Sequence, residues 1–164
     1  MIEIREISPS DNTAIAKIIR DTLMEWGAAH PGTVYYDATT DHLFELFRTP
    51  KSIYYIALMD QTMVGGVGIF PTEGLPADTC ELVKMYLLPQ ARGMGLGKTM
   101  IEKAISFAQQ QGFKKIYLES MPELEKALVV YERMGFQYLN APMGNTGHTG
   151  CSKWMLKSID ESHS

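Results

Sequence analysis

The stretch that decides the fold is RGMGLGKT, Arg92 to Thr99. Gly93, Gly95 and Gly97 alternate through it and run into Lys98 and Thr99. The residues before it, CELVKMYLLP (80–89), read as a strand stopped by Pro89. Those after it, GKTMIEKAISFAQQQG (97–112), read as a helix with Ile101, Ala104, Ile105 and Ala108 on one face and Gly112 at its end. Glycines between a strand and a helix let several amides converge on one space, where the helix start adds partial positive charge. Such a loop suits a phosphate. It is not a nucleotide P-loop, G-x-x-x-x-G-K-[ST]: Gly97, Lys98 and Thr99 supply the end, but Arg92 stands where the first glycine belongs. The dinucleotide fingerprint G-x-G-x-x-G fails too, because the glycine spacing differs and no acidic residue follows at the distance a ribose needs. What remains is a pyrophosphate cradle flanked by Arg92 and Lys98, or a turn whose glycines only permit tight packing.

Working outward, SIYYIALMD (52–60) and TMVGGVGIF (62–70) are β-branched and aromatic, joined at Asp60 and Gln61 as an antiparallel hairpin. Ile2, Ile4 and Ile7 alternate with charges, which predicts a half-buried first strand. A helix capped by Ser10 or Asp11 follows, with Ile15, Ile18, Ile19, Thr22 and Leu23 on its apolar face. AAHPGTVYYDATT (28–40) is irregular, and DHLFELFRT (41–49) is a short helix with Leu43, Leu46 and Phe47 on one side. Beyond the glycine loop come a strand, KKIYLES (114–120), and a helix opened by Pro122 and closed by Gly135. Two last strands, FQYL (136–139) and CSKWMLKS (151–158), enclose a glycine-rich loop that contains His148. The order is strand, two helices, three strands, helix, strand, helix, two strands. That is a mixed α/β domain whose strand–helix–strand unit is parallel and right-handed.

Composition narrows the function classes. A chain of 164 residues fits one domain, since domains run ~100–200 residues. Fifteen Lys and Arg against nineteen Asp and Glu leave a net charge of −4, which disfavours nucleic acid as a partner. Cys80 and Cys151 lack zinc-ligand spacing, so no metal is expected and both read as reduced thiols of a cytoplasmic protein. No secretory signal or membrane-length apolar run is visible.

The run from Tyr86 to Ser120, with ALVVYERMGFQ (127–137), resembles the GNAT superfamily of acyl-CoA-dependent N-acetyltransferases. The family signature [QR]-x-x-G-x-[GA] is here Gln90-Ala91-Arg92-Gly93-Met94-Gly95, and its later A-x-x-x-Y-x-x-x-G-F is Ala127, Tyr131, Gly135 and Phe136. The resemblance is specific from about Cys80 to Phe136. It implies one domain over residues 1–164: a variable amino-terminal region over 1–51, an acetyl-CoA-binding core over 52–136, carboxy-terminal strands and substrate loop over 137–157, and a tail over 158–164. It further implies a mixed sheet of about seven strands, flanked by helices, with the fourth and fifth strands splayed. Arg92, Gly93, Met94, Gly95, Leu96, Gly97 and Lys98 would surround the coenzyme A pyrophosphate, after Gln90. The pantetheine arm would pair with the strand edge near Leu87, whose amide can polarise the thioester carbonyl. The chain departs from the family at Pro122-Glu123-Leu124, where many members carry a pantetheine-binding Asn. That contact is not carried over to Glu123.

Acyl transfer to an amine needs a base for the ammonium proton, a donor to the oxyanion and an acid for the leaving thiolate. Under the resemblance, Tyr131 is the general acid; read from periodicity alone, it is equally a core tyrosine on a face with Leu124, Ala127 and Leu128. Glu81, early on the fourth strand, and Glu119, ending the fifth, are the candidate bases; either can instead be a solvated strand-end carboxylate. Lys84 can pair with either. His148 is an acceptor-site candidate or an ordinary loop histidine. The expected activity is acetyl transfer from acetyl-CoA to a small-molecule or peptide amine, directly within a ternary complex. Membranes are not expected as partners, and a homodimer accords with the resemblance. The alternatives are a non-catalytic acyl-CoA-binding module on the same fold and a nucleotide triphosphatase.

Overall fold

The strands on both sides of the glycine loop join one sheet. The computed structural model describes residues 1–144 and 150–160. Along the chain lie β1 (Ile2–Glu6), α1 (Asn12–Glu25), α2 (Leu43–Leu46), β2 (Ile53–Met59), β3 (Thr62–Phe70) and β4 (Thr79–Leu87). There follow α3 (Leu96–Gln110), β5 (Lys115–Ser120), α4 (Glu125–Arg133), β6 (Gln137–Tyr138) and β7 (Lys153–Ser158). The sheet has seven strands in the order β1-β2-β3-β4-β5-β7-β6. Every neighbouring pair is antiparallel except β4 and β5, which are parallel.

The parallel pair is short. It joins Thr79 to Lys115, Cys80 to Ile116 and Glu81 to Tyr117, and then stops. Strand β4 nevertheless continues to Leu87 and β5 to Ser120. The two strands therefore diverge beyond Glu81, while β5 stays paired with β7 along its whole length.

A bulge bends β4 where it leaves β5. Gly68 faces Val83 and Gly66 faces Tyr86, so Lys84 and Met85 together oppose Val67. An extra residue on one strand bends it and increases its twist. Lys84 takes the strain, with φ 53°, a left-handed conformation unusual for a non-glycine residue. Its carbonyl accepts a 2.7 Å hydrogen bond from the buried Tyr54 hydroxyl of β2. The Tyr54 ring reaches β4 by crossing bare backbone: a Cβ on Gly66 or Gly68 would stand 2.5 or 2.7 Å from it. Those two glycines are the room the ring needs.

Each face of the sheet has its own core. Met100, Ile101, Ala104 and Ala108 of α3 and Leu128 and Tyr131 of α4 join Val67, Leu82 and Ile116 on one side. Ile15, Ile19 and Leu23 of α1 and Leu43 of α2 cover Tyr54 and Ile56 on the other. At ~1.5–3 kcal/mol for each fully buried aliphatic side chain, these helices are held mainly by packing.

Three local expectations shift. Asp11 does not cap α1 with its side chain; it is buried against Arg5, with bonds of 2.8 and 3.0 Å, and Ser8 opens the preceding 3-10 turn. The segment before Leu43 is a 3-10 turn, Ala38–His42, so α2 is a single turn. Pro122 does not open α4, which begins at Glu125. Leu124 first bonds back to the Met121 carbonyl and packs into the core under α1, which turns the chain before the helix starts. Among the described residues, no helix is long and apolar enough to cross a membrane.

Candidate active site

The glycine loop sits where β4 ends. Gly93 and Gly95 both have φ 79°, a conformation that a residue with a Cβ rarely adopts. Leu96 is buried and anchors the loop. The first helical bond runs from the Thr99 amide to the Gly95 carbonyl at 3.1 Å. The amides of Leu96, Gly97 and Lys98 therefore point out of the helix end, as first-turn amides do. Gln90, Met94 and Lys98 are exposed beside them.

The strand edge facing the gap is also open. The Leu88 amide bonds the Val64 carbonyl of β3 at 2.8 Å. Antiparallel alternation turns the Leu87 amide and carbonyl the other way, toward the space β5 has left. The Leu87 carbonyl accepts from Arg92 Nε at 3.0 Å.

Arg92 contributes its main chain to the loop, but its charge is matched elsewhere. Its guanidinium makes a bidentate pair with Glu25 at 2.7 and 2.8 Å and lies 5.3 Å from the centre of the Trp26 ring. Lys126, at the start of α4, lies 5.5 Å from the same ring. This partly exposed cluster ties α1, the glycine loop and α4 together. Its ion pair contributes on the order of 1 kcal/mol or less. Lys98 has no ion-pair partner among the described residues.

Where β4 and β5 diverge, the structure brings both carboxylate candidates to one cavity of about 40 Å³. Glu81, Lys84 and Tyr86 from β4 line it with Glu119, Thr33 and Cys151. Glu81 is only 3% exposed, so it is not a solvated strand end. Burial pushes its carboxyl up to about 7, with Glu119 adding to the rise and the 2.6 Å bond from the Thr72 hydroxyl opposing it. Glu119 accepts from the Tyr117 hydroxyl at 2.7 Å, and the same hydroxyl accepts the Met143 amide at 3.0 Å. Lys84 is buried too; its ammonium pairs with neither glutamate but lies 3.9 Å from Asp37. Burial lowers its pKa from the ordinary value.

Tyr131 is 7% exposed and meets the Phe136 ring edge-on, 5.8 Å between centroids. Among the described residues its hydroxyl has no hydrogen-bond partner. Burial raises its pKa far above the ordinary range, so it is a protonated donor. Burial, then the neighbouring Tyr131 and Cys151, raise the Tyr86 phenol. Tyr86 also lines the cavity. Glu123 is engaged with His30, 2.6 Å away. His148 lies outside the described residues.

Sequence reasoning passed over Tyr117, Tyr86 and Thr72. Tyr117 had a signal: it sits two residues before Glu119, on the same strand face. Thr72 had none, because it lies in the loop after β3 and meets Glu81 only through the fold.

A model of the acetyltransferase (GNAT) family matches residues 15–136. The chain belongs to this family. YjgM, an uncharacterised N-acetyltransferase of Escherichia coli (strain K12), is 38% identical over 156 residues, 94% of this chain and 93% of that protein. A GNAT acetyltransferase of Staphylococcus aureus Mu50 superposes with a TM-score of 0.83 at 17% identity, over 98% of this chain and all of the other. PaiA N-acetyltransferase of Thermoplasma acidophilum, solved with coenzyme A, gives 0.75 at 20% identity over 96% and 99%. At these identities the two structures speak for the GNAT fold alone.

Proposed function

We propose that this GNAT protein transfers an acetyl group from acetyl-CoA to a small-molecule or peptide amine, directly within a ternary complex. The observation that carries the reading is the end of β4: its edge is unpaired beyond Glu81 and opens onto a loop whose amides point outward. An amide-bearing arm ending in a pyrophosphate matches that pattern of donors. The coenzyme A bound to PaiA supports the assignment. In this reading the amides from Arg92 to Lys98 hold the pyrophosphate, with Gln90 at the rim. The Leu87 amide faces the thioester oxygen.

The residues divide the proton work. Glu81, raised to about 7, is half ionised near neutral pH and takes the proton from the acceptor ammonium. Glu119 lines the same cavity and is the second candidate base. The freed amine attacks the thioester carbonyl, and the tetrahedral oxyanion is met by the Leu87 amide. The C–S bond then breaks, Tyr131 gives its proton to the departing thiolate, and the second proton the nitrogen loses as the amide forms restores the Tyr131 phenol. Burial holds Cys80 and Cys151 up to about 12, so both are protonated thiols near neutral pH. That supports direct transfer over an acyl-cysteine intermediate.

Incubation with acetyl-CoA and a panel of amines, read by mass spectrometry, tests the reading. Acetylated amine with release of free coenzyme A is the expected result. Coenzyme A binding without turnover on any amine would leave the non-catalytic module. Thermal stabilisation by ATP and magnesium but not by coenzyme A would overturn the account.

A further inference from the structure

Lys84 is the one charged residue of the cavity that the transfer chemistry leaves unused. Its side chain is 4% exposed and lines the cavity beside Glu81 and Glu119. No acceptor among the described residues lies within hydrogen-bond distance of its ammonium. The nearest anion, Asp37, is 3.9 Å away, and Asp37 Oδ1 already accepts the Thr39 amide at 2.9 Å and its hydroxyl at 2.8 Å. An ammonium carries three donors, and a buried charge is normally paired and hydrogen-bonded.

The backbone is arranged to put this residue there. Strict alternation would give residue 84 to the α3 side, with Leu82. The bulge adds one residue, so Met85 and Leu87 keep that side. Lys84 joins the cavity at the expense of a left-handed φ. Backbone strain held at a residue that also faces a cavity is a feature of ligand-contact sites.

We propose that Lys84 is an anion subsite of the acceptor pocket, and that the acceptor is an amine which also carries a carboxylate. The amine meets Glu81 and Glu119, and the carboxylate takes the ammonium donors that Asp37 leaves unused. One lysine beside three carboxylates matches a single negative charge better than a phosphate dianion. Amino acids, α or ω, are the substrate class. This inference rests on the transferase reading.

The test compares α- and ω-amino acids with their carboxamides, and with a polyamine, by kcat/KM. The wild-type protein is expected to favour the carboxylate member about tenfold or more, mainly through KM, because a site built for a charged group rejects the analogue that lacks it. Lys84→Met should bring the ratio close to one, and Lys84→Arg should retain some of the preference. A wild-type preference for carboxamides or the polyamine would overturn the inference. So would a Lys84→Met variant that lowers all substrates in proportion, since that is a structural defect. Thermal stabilisation by coenzyme A reports whether each variant is folded. If Lys84→Met does not fold, Asp37→Asn decides, at a side chain that is 29% exposed. Removing the competing anion should raise the carboxylate preference by about two- to fivefold, as truncating a neighbouring charge does; an unchanged ratio refutes the subsite. Absence of turnover by the wild type on every amine removes the transferase reading itself, and this inference with it.

Discussion

The two ends of β4 use different kinds of group. At its carboxy-terminal end the strand runs into the glycine loop, where the working groups are main-chain amides and Arg92 turns its charge to Glu25. Earlier along the strand, Glu81 and Lys84 present buried ionisable side chains set by contacts from four other segments: the loops with Thr72 and Asp37, β2 with Tyr54, and β5 with Glu119. A main-chain site needs only a local conformation, and so it is robust to what surrounds it. A buried charged site depends on everything packed against it, and its chemistry can be retuned without touching the loop.

The largest test of that contrast falls on the side-chain end. Glu81→Gln should lower kcat/KM by about 10²–10³-fold, the usual range for a general base. A base must be ionised, so the wild-type rate should fall as pH drops through about 7, and the variant should lose this acidic limb. If Glu119→Gln alone loses the limb, the two carboxylates exchange roles; loss in neither removes both. At the main-chain end, Gly95→Val imposes a left-handed β-branched residue. At ~1–2 kcal/mol of strain, acetyl-CoA should bind roughly 5- to 30-fold more weakly, by KM or thermal shift, with the pH profile unmoved.

Tyr131→Phe should lower turnover about tenfold with acetyl-CoA and less with an acyl donor whose thiol is more acidic, because such a thiolate leaves without help. Unchanged turnover in that variant would return Tyr131 to the core. Smallest of all, Arg92→Gln should raise the KM for acetyl-CoA only about two- to threefold, since Glu25 already neutralises the guanidinium and partly exposed pairs contribute little. A change above tenfold would mean that the guanidinium leaves Glu25 for phosphate, and the contrast between the two ends would soften.

The same contrast explains what could be read from the chain. Element order was legible because β2 and β3 are rich in β-branched and aromatic residues and α1 and α3 keep one apolar face. The loop was legible because left-handed turns demand glycine, as at Gly93 and Gly95. Glu81 and Glu119 were recognisable as residues but not as a shared cavity, since burial is a property of the assembled sheet. Lys84 reads from the sequence as a partner for Glu81 or Glu119 and pairs with neither; nothing local marks the bulge, whose causes sit on β2 and β3. Pro122 misled because Leu124 is claimed by the α1 core before the helix can begin. Asp11 misled because Arg5 lies within reach only after β1 pairs with β2.

Tyr54 acts as a mechanical component. It is a rigid spacer of fixed length, laid across two residues that have no side chains, and its hydroxyl holds by a hydrogen bond the one carbonyl where β4 bends. The divergence of β4 from β5 is therefore gauged from inside the core and not from the rim of the cleft. Loops can be exchanged around such a cleft without changing its gape, whereas a single methyl group added at Gly66 or Gly68 would collide with the ring that sets it.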